Sequence, residues 1–94
     1  MSKTIRYSKA IDKDVVLCET TNCVVSKRTT RLLLDQSIPF SASFYRIPFF
    51  KRGRYDGASK MYTISINRNL YGAARRCLLG LERKDKERLY LNVI

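Results

Sequence analysis

The sequence of 94 residues has no histidine and only eight acidic residues. Histidine is the side chain that most often acts as a general base near neutral pH. The chain also lacks a glycine-rich phosphate loop, a Gly-x-Ser-x-Gly elbow and a cluster of carboxylates. Asp12 and Asp14 are close in sequence, but their spacing before a strand is typical of solubilising charges. The sequence therefore predicts a protein that is not an enzyme.

Cysteine is also scarce, and the three residues Cys18, Cys23 and Cys77 lack the dense spacing of a disulfide scaffold. There is no Cys-x-x-Cys pair, so a zinc site would have to recruit carboxylates as ligands. We expect reduced thiols in a cytoplasmic protein that binds neither a metal nor a cofactor. Cys18 and Cys77 are expected to be buried as small hydrophobic residues.

Long apolar runs are missing, and so are a cationic signal peptide and a helix with one basic and one bulky apolar face. We therefore expect no membrane partner. The hydrophobic fraction of 45% is enough for a folded chain, and the length suits one domain.

The shortage of acidic residues leaves 19 Lys and Arg against 8 Asp and Glu, a formal net charge of +11. A field of this sign favours nucleic acid or acidic protein surfaces as partners.

Periodic apolar residues predict the element order strand, helix, strand, strand, helix, strand. The first strand is predicted over Asp14–Thr20. A helix then follows the N-cap candidate Asn22 and ends before Pro39. Its apolar side is predicted to contain Val25, Thr29, Leu32, Leu33 and Gln36.

Two alternating stretches, 40–45 and 61–67, are predicted to form an antiparallel hairpin. Phe40, Ala42 and Phe44 lie on one side of its first strand, and Tyr62, Ile64 and Ile66 face inward from its second. From Asn69 a second helix is predicted on the apolar positions Leu70, Ala73, Ala74, Cys77, Leu78 and Leu81. Residues 84–88 are predicted to form a solvated turn before a last short strand on Leu89, Leu91 and Val93.

This order folds most compactly as an α+β, ferredoxin-like βαββαβ domain, an antiparallel sheet with two helices on one face. Residues 13–94 would form this single domain, and residues 1–12 an N-terminal arm or an extra edge strand. The other sheet face would be open, and two copies could pair through it as a homodimer. The residues predicted to line it are Ser41, Ser43, Tyr45, Met61, Thr63 and Ser65.

Two stretches, TTNCVVSKRTTRLLLDQSIPFSASF (Thr20–Phe44) and YTISINRNLYGAARRCLLGL (Tyr62–Leu81), carry a family resemblance. Between roughly Val15 and Leu81 the chain resembles small prokaryotic signal-transducing domains related in fold to PII proteins. The resemblance implies a ferredoxin-like fold and a regulatory role, with no catalytic residues to assign. The chain departs from the family pattern in its positive charge and in the basic, aromatic stretch between the two hairpin strands.

That stretch, RIPFFKRGRYDGASK (Arg46–Lys60), combines cations with aromatic rings, as proteins that bind single-stranded RNA and DNA do. Phe49 and Phe50 could instead fasten the hairpin to the core, and Asp56-Gly57 is an ordinary turn signal. The residues predicted to bind nucleic acid or a partner are Arg46, Lys51, Arg52, Arg54, Tyr55 and Lys60. Secondary basic faces are predicted on the outer sides of the two helices, at Lys27, Arg28, Arg31, Arg75 and Arg76.

The sequence favours a small basic binding module that contacts nucleic acid, RNA or DNA, largely through phosphate. Base reading on the sheet face is not expected, because the third strand lacks the basic-Gly-aromatic pattern of RNA-recognition sheets. An alternative is a protein-binding regulator that uses the same cations against an acidic protein surface. Such a regulator could be a PII-like signalling module or a phage-type or mobile-element-type inhibitor of a nucleic-acid-handling complex such as a CRISPR nuclease.

Overall fold

A computed structural model describes residues 14–92, which form an open four-stranded antiparallel sheet with helices. The order across the sheet is β2-β3-β1-β4. The strands are β1 (Asp14–Thr20), β2 (Ser41–Arg46), β3 (Lys60–Asn67) and β4 (Tyr90–Leu91), and the α-helices are α1 (Cys23–Asp35), α2 (Tyr71–Cys77) and α3 (Arg83–Lys86). The predicted α+β class is confirmed, and the arrangement is compatible with a ferredoxin-like fold. The predicted N-terminal arm lies outside the described residues.

Helix α1 begins at the predicted cap, where the Asn22 side chain accepts hydrogen bonds from the amides of Val24 and Val25 at 2.9 and 3.1 Å. Its buried residues are Val25, Ser26, Thr29 and Leu33. The helix ends where Ser37 turns left-handed at φ 58°. Gln36 was predicted on the apolar side but is the exposed C-terminal cap, since the helix stops one residue before it.

The second helical segment is divided rather than continuous. Helix α2 covers Tyr71–Cys77 and is flanked by 3₁₀ turns at Arg68–Leu70 and Leu78–Gly80. The apolar positions predicted from the helical period still point inward at Ala74 and Leu78. Leu81 is also buried, but its backbone is already extended, so the helical segment has ended before it.

One core joins the central strands to both longer helices. It contains Leu17, Cys18, Leu33, Ile38, Ile64, Ile66, Ala74, Leu78 and Leu81. Strict alternation would place Leu17 and Cys18 on opposite faces of β1, yet both are fully buried. A register shift between Val16 and Cys18 explains this, since a bulge turns two successive side chains towards one side. Cys18 is buried as predicted, whereas Cys77 is half-buried beside the core.

The β2–β3 hairpin has the predicted pairing but different burial. Ser41, Ser43 and Tyr45 lie opposite Ser65, Thr63 and Met61. All six residues of β2 are exposed, because β2 is an edge strand, so Phe44 is 57% exposed rather than part of the core. Met61 was predicted on the open face but is only 2% exposed.

The segment predicted as a solvated turn, 84–88, contains most of helix α3 and one buried acid. The Asp85 side chain is 4% exposed and accepts a hydrogen bond from Nη1 of Arg28 at 3.0 Å. The prediction is wrong at Asp85, which joins this segment to α1, whereas the other four residues of the segment are exposed as predicted. Strand β4 contains only Tyr90 and Leu91, and Val93 lies outside the described residues.

Candidate functional site

The basic stretch between β2 and β3 forms a seven-residue 3₁₀ helix, Phe49–Tyr55, followed by a tight turn. We call Arg46–Lys60 the hairpin tip. Asp56 and Gly57 both have positive φ, 56° and 82°, a conformation that Gly and Asp tolerate better than most residues. The amide of Gly57 donates to the carbonyl of Arg52 at 2.8 Å and closes the turn. The Asp-Gly turn signal in the sequence is confirmed.

The hairpin tip folds back over the sheet instead of projecting from it. Nε of Arg52 donates to the carbonyl of Ile47 at 3.1 Å. Further along, the Tyr55 ring packs edge-on against Tyr90 of the opposite edge strand, with 5.9 Å between ring centroids. Ile47 and Met61 are each 2% exposed, yet neither belongs to the main core. The tip therefore covers part of the face that the sequence pattern leaves open, which accounts for the burial of Met61.

The structure decides the alternative that the sequence left open for the aromatic rings of the tip. Phe49 and Phe50 are 75% and 81% exposed, so they do not fasten the hairpin to the core. Tyr55, predicted to reach a partner, is half-buried against Tyr90. One sequence signal does indicate the exposure of Phe49 and Phe50. The pair follows Pro48 and precedes three cations, and it is not part of an alternating pattern that would bury either ring.

Among the residues that the structure describes, the cations of the tip have no acidic partner. None of Arg46, Lys51, Arg52, Arg54 and Lys60 forms an ion pair among residues 14–92. Arg46, Lys51 and Arg54 are exposed, while Arg52 and Lys60 are half-buried. The Lys60 ammonium lies 4.9 Å from the centre of the Phe44 ring, a cation–π contact that the sequence pattern did not reveal. The tip therefore brings together the predicted cations beside two exposed rings.

The acid Glu19 lies on the sheet beside Thr63, a position that the sequence-based prediction did not assign to it. Oε2 of Glu19 accepts a hydrogen bond from Oγ1 of Thr63 at 2.9 Å. Partial burial, followed by the nearby Glu19 carboxylate, raises the pKa of Tyr45 above its usual value. A carboxylate in the middle of this face repels phosphate, so the electrostatics favour the tip over the sheet surface.

The secondary basic faces are less uniform than predicted. The Arg28 guanidinium is engaged by Asp85, and Nη1 of Arg75 donates to Oη of Tyr71 at 3.0 Å. The exposed cations on the two helices are Lys27, Arg31 and Arg76, beside the half-exposed Arg28. These side chains strengthen the positive field, but two of the five predicted residues already have partners within the fold.

Within residues 14–92, no group of three or more His, Cys, Asp or Glu side chains could hold a metal ion. The helices of this part of the chain are too short or too polar to cross a membrane.

The cysteines are predicted to differ in reactivity. Burial, with a smaller effect of the Glu19 carboxylate, raises the pKa of Cys18 to about 12, while Cys23 is exposed. Since the thiolate is the reactive form, a thiol reagent at pH 8 should modify Cys23 rapidly and Cys18 only after unfolding. Mass spectrometry of peptides after timed alkylation measures both sites. In a Cys23→Ser variant the fast phase should be lost, and rapid labelling of native Cys18 would contradict the buried position.

Comparison of the chain with protein-family models, with curated proteins and with solved structures finds no match. The resemblance to PII-related signalling domains therefore stays a prediction.

Proposed function

We propose that this chain is a small, non-enzymatic, ferredoxin-like βαββαβ module of the cytoplasm that binds RNA or DNA through phosphate at the hairpin tip. The observation that carries the proposal is the group of tip cations that form no ion pair within residues 14–92 and lie beside the exposed rings of Phe49 and Phe50. The fold assignment is supported by the strand order β2-β3-β1-β4 and by the packing of α1 and α2 on one core.

In this proposal the exposed cations Arg46, Lys51 and Arg54 contact successive phosphates. Arg52 is oriented by its hydrogen bond to Ile47, so its remaining guanidinium donors are available at little cost in side-chain entropy. Phe49 and Phe50 offer faces on which unpaired bases can stack, which favours single strands over duplexes. Glu19 keeps the backbone of the nucleic acid away from the centre of the sheet.

Affinity for a single-stranded oligonucleotide is expected to fall steeply with salt. If about five phosphates are neutralised, the slope of log Kobs against log[salt] should be about −3.5 for a single strand. Fluorescence anisotropy with labelled RNA and DNA strands of about 12 nucleotides measures this slope. The NaCl concentration is varied between about 20 and 200 mM, the range in which such slopes are measured. A duplex of the same sequence is the control for the stacking contribution and should bind more weakly. No detectable binding to any of the probes at low salt would overturn the proposal.

A second candidate is a protein-binding regulator, either PII-like or an inhibitor of a nucleic-acid-handling complex. It is favoured by the 75% and 81% exposure of the neighbouring Phe49 and Phe50, since aromatic and arginine side chains dominate protein-interface energies. Within residues 14–92, β2 is an edge strand whose outer backbone groups are unpaired, so a second copy or another protein could extend the sheet there. A stoichiometric protein partner that stays bound after nuclease treatment and is lost in Phe50→Ala would favour this candidate over nucleic acid.

A further inference from the structure

A second surface of the molecule has the form of a small-ligand groove. It lies along α2, the 3₁₀ turn Leu78–Gly80 and the end of the chain around β4, and has a volume of about 450 Å³. Ligand pockets in proteins commonly measure about 300 to 1,000 Å³ and are mostly apolar. Its apolar lining residues are Tyr71, Leu78, Leu79, Leu89 and Leu91. Of these, Leu79 is 71% exposed and Leu91 is 44% exposed, so part of the apolar lining faces solvent, while Leu78 is buried beneath it.

Among the described residues that line the groove, the charged ones are all cations. Arg75, Arg76 and Lys86 belong to the lining, and none of them forms an ion pair within residues 14–92. Arg75 is held in place by Tyr71, whose hydroxyl accepts from Nη1 at 3.0 Å and whose ring centre lies 5.7 Å from the guanidinium carbon. The groove therefore presents an apolar lining together with a positive rim that includes one oriented guanidinium.

We propose that this groove binds a single-chain anionic amphiphile, with its alkyl tail against the leucines and a carboxylate or phosphate head at Arg75, Arg76 and Lys86. Charge complementarity favours an anionic head group. A neutral ligand would leave the three cations unpaired, and a cationic ligand would be repelled by them. A nucleic-acid backbone could pair with the cations but would leave the leucines in water. The lining of the groove shares no residue with the hairpin tip, so the two sites are distinct.

The groove does not suit the N-terminal segment of the same chain. Residues 1–13 carry Lys3, Arg6, Lys9 and Lys13 against the single acid Asp12, so they share the sign of the rim. Like charges would oppose docking of this segment, whereas a free anion would relieve the repulsion among the three cations of the groove.

Dodecanoate at a concentration below its micelle formation is the first probe, and isothermal titration calorimetry is the measurement. Dodecyl phosphate should bind as well, whereas dodecanol and dodecyltrimethylammonium should bind at least about tenfold more weakly, because only the anions form charge-assisted contacts with the rim. Vesicles of neutral lipid with and without an anionic lipid form a separate arm. Binding of monomeric dodecanoate without vesicle binding assigns the site to a free amphiphile.

Point variants distinguish binding in the groove from non-specific binding elsewhere on the surface. Arg75→Gln and Lys86→Gln should each lower dodecanoate affinity by about tenfold through loss of a charged contact. Leu79→Gln should lower it by about fivefold through loss of apolar contact. The matched controls Arg31→Gln and Leu34→Gln should leave it unchanged, since Leu34 is 65% exposed on α1, outside the groove. Circular dichroism confirms that each variant is folded.

Three results would overturn the assignment. The first is equal binding of dodecanol and dodecanoate, or equal effects of Leu79→Gln and Leu34→Gln, which would mean unspecific apolar contact. The second is binding to anionic vesicles without binding to the monomer. The third is a concentration-dependent dimer in sedimentation experiments that Leu79→Gln abolishes, because the groove would then belong to a second copy of the chain.

Discussion

Lys51→Glu/Arg54→Glu is expected to weaken the binding of single-stranded RNA or DNA by about 100-fold at low salt, since each charge-assisted phosphate contact contributes about 1.5 kcal/mol. Both side chains are exposed, so their replacement leaves the packing of the tip intact. Arg52 is less suitable for this test, because its Nε donates a hydrogen bond to the carbonyl of Ile47 and its replacement would also disturb the tip. With two cations lost, the salt slope should become shallower by about 1.4.

The control for this pair is Lys27→Glu/Arg31→Glu on α1. Both replaced cations are again exposed, and either double variant lowers the net charge of +11 by four units. If the overall field causes the loss of affinity, both variants should lose affinity equally. If contacts at the tip cause it, only Lys51→Glu/Arg54→Glu should lose affinity. If the α1 variant lost as much affinity as the tip variant, the overall field would account for the binding and the tip assignment would be wrong.

Secondary structure was largely predictable from the sequence because it depends on local signals. Asn22 can cap a helix wherever the following residues are helical, and the alternation in β3 is strong enough to assign Ile64 and Ile66 to the core. The bulge between Val16 and Cys18 could not be predicted, because a bulge changes the period by one residue without a distinctive residue type.

The candidate site was predictable in composition but not in geometry. Five cations and a turn in one segment can be read from the sequence, and the structure places them in one hairpin tip. The exposure of each aromatic ring depends on where the tip packs against the sheet. The packing of the tip depends in turn on contacts with residues distant in sequence. Tyr55 is covered because Tyr90, at the far end of the chain, lies next to it. No local pattern contains that information.

The same dependence on distant partners explains Arg28, which the helical pattern placed on a solvated basic face. The Arg28 side chain is 49% exposed, but its guanidinium pairs with the Asp85 carboxylate, whose side chain is only 4% exposed. Nη1 lies 3.0 and 3.1 Å from the two carboxylate oxygens. This pair links α1 to α3 across 57 positions of the sequence.

Arg28→Ala is expected to lower the free energy of unfolding by about 2 kcal/mol, because it leaves the buried carboxylate of Asp85 without its cation. The estimate is below the full cost of breaking a buried pair, about 3–5 kcal/mol, because half of the arginine side chain is in solvent. For a domain of this size, with a total stability of about 5–15 kcal/mol, the change is easily measured by urea denaturation.

Arg31→Ala is the matched control, since it removes an exposed arginine from the same helix and should change the stability by less than about 0.5 kcal/mol. The double variant Arg28→Ala/Asp85→Ala completes a thermodynamic cycle. It should be less destabilised than the sum of the two single variants, because the carboxylate that lacks a partner is no longer present. Additive effects of Arg28→Ala and Asp85→Ala would show that the two side chains do not interact.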